Sequence, residues 1–247
     1  MMLGRVAGCF PRSARRKLLV VHAGHAPLGS PAATFIFADI AGFTALTEAH
    51  GDEQAADLAQ AFSADVRRQL AAYEAELVKT IGDALMLRTP DPAAAIRLGL
   101  FLAYDVGRAH GSPQVRVGMH HGPAVERAGD WFGATVNTAA RISGAAVGGE
   151  VLLSAAVREH AGLVAGVRFA TRGSHTLRNL SEPVDLFAAV RASQASLRLE
   201  VDPVCRMAVD PGRCAGVLQH RGVEYHFCSL ACIARFAANP AGFAVDA

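Results

Sequence analysis

The order in which apolar runs and turn signals alternate along this chain constrains its fold more than any single residue does. Thr34 to Asp39 (TFIFAD) is an apolar run ending on an acid, the pattern of a buried strand. Asp52 to Tyr73 is alanine-rich and sets Leu58, Phe62, Val66 and Leu70 four residues apart, which predicts a helix with one apolar face. Glu76 to Arg88 (ELVKTIGDALMLR) breaks at Gly82-Asp83 and predicts strand, turn, strand. Pro92 to Gly107 predicts a second helix, with Pro92 suited to its first turn. Gln114 to His121 and Ala124 to Arg127 are expected to pair as strands around Gly122-Pro123. Gly133 to Ala146 then predicts a helix, Glu150 to Leu153 a strand, and Val184 to Val190 a closing strand. This βαββαβ order with an αβ extension predicts an α+β sandwich containing antiparallel strands, with its helices on one face.

At 247 residues the chain has room for one sizeable domain and a small companion. A hydrophobic content of 51% and a mean hydropathy of +0.24 indicate a packed globular protein. The net charge of +2 is too small to argue for nucleic acid or an acidic membrane surface as a partner. No apolar run reaches the roughly 18–20 residues that cross a bilayer. A cytoplasmic protein without a membrane span or a nucleic-acid partner is expected.

Residues 1–30 differ from the rest. Arg5, Arg12, Arg15, Arg16 and Lys17 precede the short run Leu18 to Val21, and no acid appears before Asp39. A basic start followed by an apolar segment resembles a secretory signal, but His22 and His25 interrupt it. The expectation is a disordered leader or a start codon assigned too far upstream, with no role for Cys9. Arg191 to Glu200 is polar and aperiodic, and residues 193–200 read as a linker. The other four cysteines, Cys205, Cys214, Cys228 and Cys232, all follow it. Such clustering favours metal binding or redox chemistry over disulfides in a cytosolic setting.

Asp39, in Phe37-Ala38-Asp39-Ile40-Ala41-Gly42-Phe43-Thr44, and Asp83, in Lys79-Thr80-Ile81-Gly82-Asp83, both sit where a strand meets a turn. Two such carboxylates are hard-oxygen ligands suited to Mg²⁺ or Mn²⁺. A paired-metal site of this kind drives in-line displacement at phosphorus. Each acid alone also has a plainer reading, Gly-Asp as turn chemistry and Asp39 as a helix cap. Asn137 and Arg141 lie four residues apart, hence on one helix face. Metal ligands with a cationic clamp point to nucleotide phosphoryl chemistry. His120 and His121, at a strand end, are expected to be structural, and Trp131 and Phe132 to pack.

Residues 34–190 resemble a class III adenylyl/guanylyl cyclase catalytic domain. The resemblance rests on Phe-x-Asp-Ile-x-Gly-Phe-Thr at 37–44, Lys-Thr-Ile-Gly-Asp at 79–83 and Val-Asn-x-Ala-Ala-Arg at 136–141; residues 173–183 resemble the family's final hairpin. It implies a ferredoxin-like cyclase domain over residues 31–192. It further implies that Asp39 and Asp83, helped by the Ile40 carbonyl, hold two Mg²⁺ or Mn²⁺ ions. Arg141 would oppose charge on the α-phosphoryl group and Asn137 would orient the ribose. Arg178 matches a position commonly held by a lysine that contacts the terminal phosphates. Lys79 and Asp130 match the adenine-reading pair, which favours ATP over GTP. The family's sites are shared across a head-to-tail dimer, so a homodimeric adenylate cyclase is expected. The alternatives are a nucleotide- and metal-binding sensor without cyclase activity, and a guanylate cyclase.

Residues 201–247 resemble a YHS domain, a short metal-associated module, through Asp202-Pro203-Val204-Cys205-Arg206-Met207, Tyr225-His226-Phe227-Cys228-Ser229-Leu230-Ala231-Cys232, Phe236 and Asn239-Pro240. Arg206 stands where the family usually has glycine. A module this small buries too little to fold easily alone, so a metal staple is expected. Cys228 and Cys232, one helical turn apart, would converge with Cys205 on Zn²⁺ or Cu⁺, with Cys214, His226 or His220 as a fourth ligand. The plainer reading is that the cysteines pack as small hydrophobes. The module is expected to modulate the cyclase.

Overall fold

In a computed structural model, residues 32–107, 111–192 and 199–244 are described. The expected leader, Cys9 and most of the expected linker lie outside the described residues. The chain enters as β1 (Ala32–Ile40), whose residues are buried on both faces because alternate side chains feed different cores. Helices α1 (Phe43–His50) and α2 (Asp52–Gln69) follow, then the hairpin β2 (Glu76–Ile81) and β3 (Ala84–Thr89). Helix α3 (Pro92–Phe101) starts on an Asp91 cap, whose side chain accepts from Ala93 N at 2.8 Å, with Pro92 in its first turn. β4 (Val115–Pro123) completes the unit. Its strand order β2-β3-β1-β4, antiparallel at each step, is the ferredoxin-like arrangement that a βαββαβ chain gives.

The extension consists of β5 (Val125–Arg127), β6 (Asp130–Phe132), α4 (Ala134–Ala145), β7 (Val151–Ser154), α5 (Ala155–Ala161), β8 (Val167–His175) and β9 (Val184–Arg191). β7 joins the sheet parallel to β4, and β9 and β8 follow, giving seven strands.

Two expectations are corrected. The helices do not share one face: Phe62 and Val66 of α2 and Ile96 and Leu98 of α3 pack with Ile36, Ala38 and Ile40, whereas Val136 and Ala139 of α4 pack with Phe35 and Phe37 on the opposite side. Apolar residues occupy both parities of β1, with Phe35 and Phe37 on one face and Ile36, Ala38 and Ile40 on the other, so both faces require cover. Nor does Gly122-Pro123 turn a hairpin. β4 runs through Pro123, and β5 pairs instead with β6 across Ala128-Gly129, whose φ values of 53° and 79° suit a two-residue turn with both central residues left-handed. Helix α4 lies close on β4 because Gly118 has no side chain; a Cβ there would fall 1.9 Å from the Ser143 nitrogen.

The C-terminal segment forms two small ladders, β10 (Glu200–Val201) with β11 (Ala208–Val209) and β12 (Gly216–His220) with β13 (Val223–Phe227), then helix α6 (Leu230–Ala238). Its core is not its own. Val204, Met207, Phe227 and Phe236 pack in one cluster with Leu46 of α1 and Ala55 of α2. The backbone joins as well, with Ala208 N donating to Ser112 O at 3.0 Å. Among the described residues no helix is long and apolar enough to cross a membrane.

Candidate functional site

By strand parity Asp39 points to the α4 side of the sheet, like Phe35 and Phe37, and its β4 partner in register is Arg116. Arg116 donates from Nε to Asp39 Oδ2 at 2.7 Å and from Nη2 to the same oxygen. Asp39 caps no helix; the N-cap of α1 is Gly42, at φ 76°. Asp83 follows Gly82 (φ 62°) in the β2–β3 turn, half-buried. Its carboxyl is pushed up to about 6, by burial first and then by the hydrogen bond and like charge of Asp39. Two carboxylates therefore meet where a single guanidinium offsets only part of their charge. A hard divalent cation fits this donor set, and the carbonyl of Ile40, the last residue of β1, is adjacent in the chain. Sequence reasoning missed Arg116; its signal is the β1–β4 register, which exists only once the strands are paired.

A bulge places the next pair. Leu77 pairs with Leu87 and Lys79 with Met86, so Val78 is the extra residue and Lys79 turns to the α4 side. There Lys79 Nζ donates to Asp130 Oδ2 at 2.6 Å, and Lys79's hydrogen bond holds the Asp130 carboxyl below its ordinary range. Asp130 opens β6, directly after the β5–β6 turn. Trp131 packs on Phe35, ring centroids 5.6 Å apart, with the Arg88 guanidinium 4.3 Å from its ring centroid. Phe132, expected to pack, is 50% exposed and lies beneath the Lys79 ammonium at 5.7 Å.

Asn137 and Arg141 share the exposed face of α4, opposite the buried Val136, Ala139 and Ile142. Arg178 is exposed in the turn after β8. Among the described residues no hydrogen bond or ion pair joins Asn137, Arg141 or Arg178 to either aspartate of the same chain. His120 Nδ1 lies 2.7 Å from Ser154 Oγ, and His121 Nδ1 lies 3.0 Å from Thr34 Oγ1. Burial, then His121, pushes the His120 imidazole down to about 4.

A second cluster forms around the cysteines. Cys228 Sγ lies 3.4 Å from Cys205 Sγ and 3.8 Å from Cys232 Sγ. The expected fourth partners are elsewhere: Cys214 contacts Pro211 O, His226 pairs with Glu224, and His220 lies edge-on to Phe236. His50, the last residue of α1, takes that place, its Nε2 3.9 Å from both Cys228 and Cys232. Nothing in the sequence near His50 marks it, because the cysteines lie in a distant segment. Buried Asp202 accepts from Val204 N and Cys228 N, both at 2.8 Å, and so fixes the two cysteine-bearing turns to each other. The Cys232 thiol is pulled down to about 2 by hydrogen bonding to Cys205 first and Cys228 second, while Cys205 is pushed up by its bonds to Cys228 and Cys232 and by burial. Arg206 takes φ 66° and lies over Gly42, where an added Cβ would fall 2.7 Å from Arg206 Cγ.

Residues 29–185 match the family model of the adenylate and guanylate cyclase catalytic domain, and residues 201–246 match that of the YHS domain. A pH-sensitive adenylate cyclase of Mycobacterium tuberculosis is 39% identical over 181 residues, covering 70% of this chain and 45% of the relative. An adenylate cyclase of Streptomyces coelicolor is 34% identical over 83 residues, covering 34% of this chain and 22% of the relative. The chain thus spans less than half the length of these relatives. Among solved structures, an adenylate cyclase from Trypanosoma brucei, described in its monomeric state, aligns with a TM-score of 0.58 at 27% identity, covering 73% of this chain and 96% of that one. An adenylyl cyclase of P. aeruginosa aligns with a TM-score of 0.55 at 22% identity, over 67% and 96% of the two chains, a likeness of fold.

Proposed function

Because the chain belongs to the adenylate and guanylate cyclase catalytic-domain family, we propose that it converts ATP to 3′,5′-cyclic AMP and pyrophosphate at sites shared by a homodimer. The observation that carries this reading is the half-buried meeting of Asp39 and Asp83, two carboxylates whose combined charge the Arg116 guanidinium offsets only in part. Asp39, Asp83 and the Ile40 carbonyl would hold Mg²⁺ or Mn²⁺, which would supply positive charge at the triphosphate and lower the pKa of the ribose 3′-hydroxyl. Arg141 opposes the charge that builds on the α-phosphoryl oxygens as the 3′-oxygen attacks and pyrophosphate leaves. Asn137 orients the ribose. Removing such a donor costs about 10²–10³ in rate. Arg178 offers a planar fork of donors to the terminal phosphates.

Lys79 and Asp130 select the base. The ammonium donates to adenine N1 and the carboxylate accepts from the exocyclic amine, whereas guanine presents N–H and C=O at those positions. Each mismatched contact costs on the order of 1–3 kcal/mol. Their own ion pair, 2.6 Å long, keeps donor and acceptor side by side. The exposure of Asn137 and Arg141, without contact to the aspartates of their own chain, suits delivery to a partner's site.

Purified protein incubated with ATP or GTP and Mn²⁺, with the cyclic product identified by mass, tests the proposal. Cyclic AMP from ATP is expected. Faster conversion of GTP would overturn the base assignment, and retained nucleotide binding without product would replace the enzyme by a sensor.

A further inference from the structure

The cysteine cluster draws its fourth donor from outside the module that carries it. We propose that His50, Cys205, Cys228 and Cys232 form one four-coordinate Zn²⁺ site, and that the ion ties the C-terminal segment to helix α1 beside the Asp39 turn.

The geometry comes first. A tetrahedron with Zn–S bonds of about 2.3 Å has edges of ~3.8 Å. The contacts are 3.4 Å (Cys205–Cys228), 3.8 Å (Cys228–Cys232) and 3.9 Å from His50 Nε2 to each of Cys228 and Cys232, and all four donor atoms lie within 4.8 Å of one another. The sulfurs are too far apart to be bonded, since a disulfide spans about 2.05 Å. Three thiolates and an imidazole form a borderline-soft set that takes Zn²⁺ in closed structural sites, and they differ in kind from the oxygen donors at Asp39 and Asp83. The site is also supported from behind: Cys205 and Cys232 are buried, and Asp202 holds the Cys228 nitrogen and the turn before Cys205.

The position of His50 gives the ion a second role. Helix α1 begins just after the Asp39 turn and ends on His50. Arg206, next to ligand Cys205, covers Gly42 at the start of α1, and Arg235 of α6 donates to the Glu48 carbonyl near its end. An ion at the cluster therefore anchors both ends of α1. The effect on turnover rests on the cyclase reading; the site and its hold on α1 do not.

The test uses the full chain, reduced and freed of metal, and involves no nucleotide. Titration with Co²⁺ should give one equivalent per chain with the visible absorption of a tetrahedral thiolate complex, displaced by Zn²⁺. His50→Ala should weaken Zn²⁺ binding by more than the roughly 10- to 100-fold that loss of an outer partner costs. His50→Cys should restore a tetrahedral spectrum, and His226→Ala should leave affinity unchanged. Zn²⁺ should also slow amide hydrogen exchange across residues 43–50 in the wild-type protein and not in His50→Ala. Equal affinity and spectrum in wild type and His50→Ala, a failure to retain the ion, or loss of two titratable thiols to a disulfide would each overturn the site. Protection confined to residues 201–244 would overturn the tie to α1.

Discussion

Lys79 meets Asp130 only because one residue, Val78, is left unpaired in β2. That dependence makes the pair a sharp probe of the proposed base selection. Lys79→Ala is expected to lower kcat/KM for ATP by roughly 5- to 150-fold, the equivalent of about 1–3 kcal/mol, and to narrow the ATP-to-GTP ratio. An unchanged ratio in a two-substrate assay would remove Lys79 from the base site. His120 carries a different expectation. Its folded-state imidazole is held down to about 4, while the unfolded chain titrates near 6.5. The folded state therefore binds fewer protons in that window, and stability falls as pH drops from about 6.5 towards 4. At pH 4.5 the loss due to His120 amounts to about 2–3 kcal/mol relative to pH 7. Urea midpoints at the two pH values should differ less in His120→Asn than in the wild type. At this scale the acids and Lys79 were legible because strand and turn signals mark their surroundings. Arg116 and His50 were not, because each acquires its role from a chain segment brought alongside by folding.

Among the elements, the approach of α4 to β4 sets how closely the helix that carries Asn137 and Arg141, the proposed ribose and phosphate residues, lies on the sheet. Gly118 permits that approach, since a methyl group there would lie 1.9 Å from Ser143 N and 2.3 Å from its Cα. Backbone cannot rotate aside as a side chain does, so Gly118→Ala must lift the helix. A destabilisation of about 1–3 kcal/mol is expected, with a drop in kcat beyond what the lost stability explains. Denaturant midpoints and kinetics below the transition separate the two effects. The helices and strands of the βαββαβ unit were visible in hydrophobic period and turn residues. Their assignment to faces was not: from Phe35 to Ala38 the run is apolar at both parities and gives no alternation by which to place a helix. The hairpin assigned to Gly122-Pro123 failed for a related reason. The pairing of β4 with β1 continues to Pro123, and the reversal waits for Ala128-Gly129, where φ is positive twice.

For the whole molecule, no hydrogen bond or ion pair among the described residues brings Asn137, Arg141 or Arg178 to the aspartates of their own chain, and the proposed chemistry requires two chains. Mixing inactive Asp39→Ala with inactive Arg141→Ala protein should recover up to about a quarter to a half of wild-type activity, because mixed dimers keep one intact site. No recovery, with dimers present by sedimentation, would place all the groups of a site on one protomer. The sequence announced two segments of different composition but not how closely they are joined. Leu46 and Ala55 belong to a core completed by Phe227 and Phe236, so the boundary in composition is not a boundary in packing. Arg206, with φ at 66°, occupies a conformation that glycine adopts without strain, and its side chain fills the space that Gly42 leaves. Neither position can therefore drift alone. A lineage that acquired a side chain at 42 would first have to surrender the arginine, and one that shed its C-terminal segment would be released from keeping glycine there for this reason.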